Sequence, residues 1–272
     1  MTFFEKLNNS IKKNNSLLCV GLDTDLKKIP RHLLTYENPV LEFNKEIINA
    51  TANLVCAYKP NIAFYEAMGE DGLSILQKTI AYIQTTHPEV PVILDAKRAD
   101  IGSTSDQYAQ AAFGYLHADA VTLHPYLGLD SSEPFLKYKD CGIIFLCRTS
   151  NPSASEFQDL LVDGKPLYLK VAEKVMEWDT RYHNCLMVVG ATWPDQMGKI
   201  RKIAPDMFFL VPGIGSQGGD LAGILKSGLR LDKSGLIINA GRSIIYADSS
   251  KDFAVKAHDE ALKLRDQINT HR

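Results

Sequence analysis

The chain has no apolar run that approaches the length of a membrane-spanning helix. Its N-terminus, MTFFEKLNNSIKKNN, lacks the apolar core of a secretory signal. A basic excess is also missing. Thirty Lys and Arg face 32 Asp and Glu, for a formal net charge of −2, so bulk charge suggests neither nucleic acid nor an anionic membrane as partner. A local anion site is still allowed. The five cysteines, Cys19, Cys56, Cys141, Cys147 and Cys185, form no CxxC pair and no Cys/His cluster with zinc spacing. They read as reduced, buried thiols of a cytoplasmic protein, and no metal is expected. The first strand-like run is not followed by GxGxxG, and no glycine-rich stretch has P-loop spacing. With two tryptophans, Trp178 and Trp193, the chain is poor in stacking platforms, and both read as packing residues.

What is present is a rhythm. Short apolar, β-branched runs alternate with longer stretches of helical period. The runs are SLLCVGLD (16–23), LVCAYKPN (54–61), PVILDAK (91–97), DAVTLHP (119–125), CGIIFLCRT (141–149), CLMVVGAT (185–192), MFFLVPG (207–213) and GLIINAG (235–241). Between them lie amphipathic stretches such as VLEFNKEIINATANL and PLYLKVAEKVMEWD. SSEP (131–134) and SSKDF (249–253) read as helix caps. The runs are continuously apolar, as parallel strands buried on both faces are. Eight such units predict a (β/α)8 TIM barrel as one catalytic domain over residues 1–272, with an extra N-terminal helix. A doubly wound open sheet is the alternative. Residues 150–166 read as a long polar loop, and loops of that length are often functional.

A barrel builds its site at the C-terminal strand ends. Those ends carry Asp23; Lys59 and Asn61; Asp95 and Lys97, with Asp100 beyond; His124; and Arg148, Thr149, Ser150 and Asn151. The last two carry PGIGSQGGD and NAGRS. Glycines 213, 215, 218 and 219 allow backbone N–H groups to approach an oxyanion, and Arg242 adds a guanidinium. Tight turns alone would also use these glycines. Two such loops at the places where barrels bind phosphate favour a phosphate site.

In LDAKRADIGST, Asp95 and Lys97 are two apart and predicted to share one side of a strand. Asp100 could fold back or reach a neighbouring subunit. A lysine between carboxylates stays protonated, which suits a proton donor and not a Schiff base. The carboxylates would repel an anionic group on a ligand. Such a cluster also occurs as a surface ion-pair network. His124, before Pro125, could bind a ligand, but a lone strand-end histidine is more often a hydrogen-bonded structural residue. Asp23 and Lys59 could pair or hold sugar hydroxyls, with Asp25 competing for the role of Asp23. Glu66, Glu70 and Asp71 read as a solvated loop and helix cap.

These segments resemble orotidine 5′-phosphate decarboxylases. DAKRADIGST is similar to that family's Asp-x-Lys-x-x-Asp segment. VGLD, AYKPNIAFYE, LCRTSNP, VPGIGSQGGD and NAGRSIIYA follow in family order, from about Leu17 to Ala247. FNKEIINAT and the long loop after strand five resemble the longer bacterial branch. The resemblance implies conversion of orotidine 5′-phosphate to uridine 5′-phosphate and CO2 in pyrimidine synthesis, without cofactor. It implies Lys97 as general acid toward C6, Asp95 beside the departing carboxylate, and a homodimer in which Asp100, Ile101 and Thr104 come from the partner. Asp23 and Lys59 would hold ribose hydroxyls, and Ser150 would read the pyrimidine amide edge. Gln217 would bridge base and phosphate, and Gly241 and Arg242 would hold the phosphate. Two other readings compete. A magnesium-dependent barrel acting on sugar phosphates expects an acid where Lys59 stands. A non-catalytic nucleotide-binding barrel expects loss of Asp95, Lys97 or Asp100.

Overall fold

A computed structural model describes residues 1–214 and 219–272. All eight expected strands form. They are β1 (Leu18–Gly21), β2 (Ala57–Lys59), β3 (Ile93–Arg98), β4 (Ala120–Leu123), β5 (Gly142–Arg148), β6 (Cys185–Val189), β7 (Phe209–Val211) and β8 (Leu236–Ala240). The sheet order is β2-β1-β8-β7-β6-β5-β4-β3, and every pairing in it is parallel. Two isolated bridges, Tyr58 to Val92 and Asn61 to Asp95, join β2 to β3 and bring the sheet's ends together. The result is a (β/α)8 barrel whose last seam is stitched by single bridges. Every residue of β1, β2, β4, β5, β6 and β7 is buried, which is why their sequences are apolar without alternation. The strands are shorter than their apolar runs, because Asp23 and Thr149 lie beyond the last ladder residue at the mouth.

The outer helices bury one face each. Helix Pro39–Thr51 buries Val40, Phe43, Asn44, Ile47 and Ile48, the spacing of a single helical stripe. Asn44 is tolerated in that stripe because Thr24, Tyr65 and Thr79 satisfy its amide. The extra N-terminal helix α1 (Phe3–Asn14) starts with a capping box of Thr2 and Glu5. It crosses the N-terminal rim of the barrel. Lys6 pairs with Asp119 before β4 at 2.6 Å, and the Asn14 amide donates to Ala52 and Val55 before β2. Phe3 covers Gly142, where an added Cβ would sit 2.6 Å from its ring. That end is closed, so the mouth lies at the other. Among the described residues, no helix is long and apolar enough to cross a membrane.

Three expectations are corrected here. The helix expected to begin at SSEP instead begins at Leu129, with Gly128 (φ 87) as N-cap, so Ser131 and Ser132 lie inside it. The Ser131 hydroxyl donates to the Asp100 carbonyl at 2.6 Å rather than capping. In SSKDF, Asp252 is the N-cap of helix Phe253–Thr270 and makes no side-chain cap bond; Ser250 accepts the Asp252 N–H in the turn before it. Finally, the stretch read as a long polar loop carries two helical turns, Pro152–Ala154 and Ser155–Gln158. A small hairpin of Leu161–Val162 and Lys165–Pro166 follows them. The five thiols are unpaired, four of them buried and Cys141 half-buried.

Candidate active site

The strand ends surround a cavity of about 1230 Å³. Asp23, Lys59, Asp95 and Lys97 line one side, and Ser150, Gly213, Gly241 and Arg242 line others. At its floor lies a row of charge. Asp95 is buried and accepts four hydrogen bonds. Oδ1 takes Lys97 Nζ at 2.6 Å and Thr122 Oγ1 at 3.0 Å. Oδ2 takes Lys59 Nζ at 2.9 Å and Asn61 Nδ2 at 3.3 Å. Lys59 is 3% exposed and also lies 3.9 Å from Asp23. Burial alone would raise the Asp95 carboxyl, but Lys59 and Lys97 outweigh it and hold the group well below the usual carboxylate range. Burial would likewise discharge Lys59, yet Asp95 and Asp23 outweigh it and raise its ammonium above its ordinary value. Asp95 and Lys59 therefore both stay charged at neutral pH.

Linkage gives the sign of a test. A carboxylate depressed in the folded state contributes stability above its unfolded value, near 3.9, and loses it as pH falls. Wild type should lose up to about 1.4 kcal/mol more per pH unit below about pH 4 than Asp95→Asn. Chemical denaturation of the two proteins between pH 5 and 2.5 measures the difference. Parallel acid limbs would contradict the ion row.

Asp95 and Lys97 meet, but plain strand alternation is not the cause. The register with β4 shifts between Leu94 and Arg98, and Lys97 sits at φ 48, a left-handed conformation uncommon for lysine. Thr122 on β4 holds this kink. Its Oγ1 accepts the Ala96 and Lys97 N–H groups at 3.0 and 2.9 Å while donating to Asp95. Thr122→Val keeps the shape but leaves those donors without their partner. It should cost about 1–3 kcal/mol in urea denaturation and lower kcat more than it raises KM. Unchanged stability and kcat would show that the kink holds itself.

Asp100 does not fold back onto Lys97. Its Oδ1 accepts the N–H of Ile101, and among the described residues it forms no ion pair. Ile101 is 59% exposed, and Thr104, in the first turn of helix Gly102–Ala109, is exposed too. Asp23 lines the cavity and Asp25 does not; Asp25 Oδ1 accepts the Lys27 N–H instead. Gly213 has φ 104, and the Gly219 N–H donates to its carbonyl at 3.2 Å, drawing the ends of that loop together. Gln217 lies outside the described residues. Gly241 precedes the turn Arg242–Ile245, and both Gly241 and Arg242 face the cavity.

His124 corrects its expectation. It is exposed, lines the cavity and makes no side-chain hydrogen bond to a described residue. Burial of part of the ring, then Lys97, lower its pKa. Glu66 pairs with Arg98, whereas Glu70 and Asp71 stand in the first turn of helix Glu70–Thr86. Trp178 packs edge-on against Phe145. Trp193 does stack, though on the Arg148 guanidinium, at 4.2 Å.

Three residues escaped the sequence reading. Thr122 had one signal, a hydroxyl inside an apolar strand. Gln158 had none, since its role depends on how the loop folds back. Asn239 hides in NAGRS. Among the described residues, its Oδ1 and that of Asp23 are buried acceptors without a hydrogen-bond donor. Both close on Gly21, where an added Cβ would lie 3.4 Å from the first and 3.6 Å from the second. Two such acceptors at a cavity wall suit hydroxyl donors of a ligand. Among the described residues, no cluster of His, Cys, Asp and Glu could hold a metal ion.

Barrel, closed floor and charged mouth together define a (β/α)8 protein of the enzymatic type, with its polar groups at the C-terminal strand ends. The chain belongs to the orotidine 5′-phosphate decarboxylase / HUMPS family, whose model matches residues 16–257. An orotidine 5′-phosphate decarboxylase of Cellvibrio japonicus is 55% identical over 234 residues, 85% of each chain. The structure of Leishmania donovani OMP decarboxylase superposes with TM-score 0.85 at 39% identity, covering 100% of this chain and 98% of that one. Leishmania donovani UMP synthase gives TM-score 0.88 at 40% identity; this chain, covered in full, spans 56% of that one.

Proposed function

We propose that this chain is a carboxy-lyase that converts orotidine 5′-phosphate to uridine 5′-phosphate and CO2, a step of pyrimidine synthesis. The observation that carries the reading is the Lys59–Asp95–Lys97 row, in which a buried, ionised Asp95 holds buried Lys59 on one side and, at 2.6 Å on the other, an exposed Lys97 that faces the cavity. In the proposed reaction the bond from C6 to the carboxylate breaks and its electron pair stays on C6. CO2 leaves. Lys97 Nζ then delivers a proton to C6 and is reprotonated from solvent. Asp95 orients Lys97 through their 2.6 Å ion pair and crowds the substrate carboxylate with like charge. A positioned ammonium at the carbon where charge develops needs no rearrangement during the step.

The remaining roles follow the cavity walls. Asp23 and Lys59 hold ribose hydroxyls, with the unpartnered Asn239 Oδ1 beside them. Ser150 reads the amide edge of the base. Gly241 and Arg242 hold the phosphate end, whose binding energy serves the distant chemistry, and Gln217, outside the described residues, bridges base and phosphate. A homodimer brings Asp100, Ile101 and Thr104 of each subunit to the other's mouth, consistent with the exposure of Ile101 and Thr104 and the half-burial of Asp100 in one chain. Residues 1–272 act as one catalytic domain. Five unpaired thiols suit a cytoplasmic location.

The magnesium-dependent alternative is disfavoured by Lys59, a buried ammonium beside Asp95 where a cation would have to sit. The test is absorbance-monitored turnover of orotidine 5′-phosphate by EDTA-treated protein. Loss of the orotate chromophore with formation of uridine 5′-phosphate is expected. Absence of turnover with intact nucleotide binding would replace the reading with a non-catalytic barrel.

A further inference from the structure

The loop after β5 is organised around a charge that the chemistry above does not use. Arg148, the last residue of β5, is fully buried. Its guanidinium lies 4.2 Å from the Trp193 ring centroid and 5.8 Å from that of Tyr168. Its Nη2 donates to Asp159 at 3.1 Å, and its Nη1 donates to Gln158 Oε1 at 3.0 Å. A buried guanidinium is tolerated only when its surroundings hold it in one place. Here that place fixes Gln158.

Gln158 in turn takes hold of Thr149. Its Oε1 also accepts the Thr149 N–H at 2.9 Å, and its Nε2 donates to Thr149 Oγ1 at 2.8 Å. Thr149 Oγ1 donates onward to Asn151 Oδ1 at 2.7 Å, and the Thr149 carbonyl accepts Trp193 Nε1 at 2.8 Å. Every polar group of Thr149 is engaged, and both neighbours of Ser150 are tied. Below Ser150 lies Gly190, where an added Cβ would come within 2.8 Å of the Ser150 N, Cα and Cβ. Ser150 is thus seated on backbone and clamped on both sides, facing the cavity.

We propose that Gln158, anchored by Arg148, is a positioning residue that locks Thr149 and so aims Ser150 at the pyrimidine edge. The proposal rests on the reading of the cavity as a pyrimidine nucleotide site. It makes base recognition depend on a side chain eight residues along the chain from Ser150, and predicts that sugar and phosphate recognition do not share that dependence.

The experiment compares Gln158→Leu and Gln158→Glu with wild type by calorimetric binding of uridine 5′-phosphate and ribose 5-phosphate, and by steady-state kinetics. Leucine removes both amide functions. Glutamate keeps the acceptor for Arg148 and the Thr149 N–H. Gln158→Leu should weaken uridine 5′-phosphate binding about tenfold and raise KM, with ribose 5-phosphate binding within about twofold of wild type. Gln158→Glu should recover most of the loss. Equal weakening of both ligands, or no weakening of either, overturns the proposal. Wild-type turnover of orotidine 5′-phosphate separates the two levels. If it is absent, the reading of the site fails; if it is present while Gln158→Leu binds normally, the positioning role alone fails.

Discussion

Lys97→Ala should lower turnover of orotidine 5′-phosphate by on the order of 10³-fold or more, because it removes proton donor and positive charge together. Folding should survive. Asp95 keeps Lys59, Asn61 and Thr122 as partners, so its buried carboxylate is not left uncompensated. Relief of the left-handed backbone at Lys97 does not follow, since alanine meets the same steric limit there. Nucleotide binding should also survive, as the residues proposed to hold phosphate and ribose lie at the ends of other strands. The checks are single-turnover rates and uridine 5′-phosphate affinity. Near-normal turnover would remove Lys97 from the chemistry.

The second large effect is expected at Asp100. Among the described residues its carboxylate accepts only the N–H of the next residue, so Asp100→Ala should leave melting nearly unchanged. Turnover should nevertheless fall on the order of 10²–10³-fold, the scale for losing one preorganised electrostatic group. A residue that is dispensable for the fold yet needed for the rate is acting outside its own chain's packing. The segment that carries Asp100 is held in place by two serine hydroxyls. Ser131 donates to the Asp100 carbonyl, and the Ser105 hydroxyl donates to the Ser131 carbonyl, at 2.6 Å each. Ordinary turnover in the Asp100 variant would make the acid a simple loop residue.

The barrel was legible because parallel strands buried on both faces must be continuously apolar. SLLCV, PVIL and GIIFLC could hardly belong elsewhere. The mouth was legible for a related reason: charge at the end of such a run has no place in the core. What stayed hidden is whatever depends on contacts between distant segments. Nothing in DAVTLHP tells that Thr122 holds a kink in the neighbouring strand. Nothing in SEFQDL tells that Gln158 closes on Thr149. Cap assignments failed where glycine won. At Gly128 a positive φ starts the helix three residues before the serines that looked like its cap. His124 was misjudged because a strand-end histidine can project into a mouth as readily as into packing.

The most direct measurement uses two inactive proteins. Lys97→Ala and Asp100→Ala chains are co-expressed with different tags, and the mixed dimer is isolated through both. If each site takes Lys97 from one subunit and Asp100 from the other, one of the two sites in that dimer is wholly native. Its turnover per dimer should return to about half that of wild type. A mixed dimer as inactive as its parents would contradict the shared site and confine the charged row to a single chain.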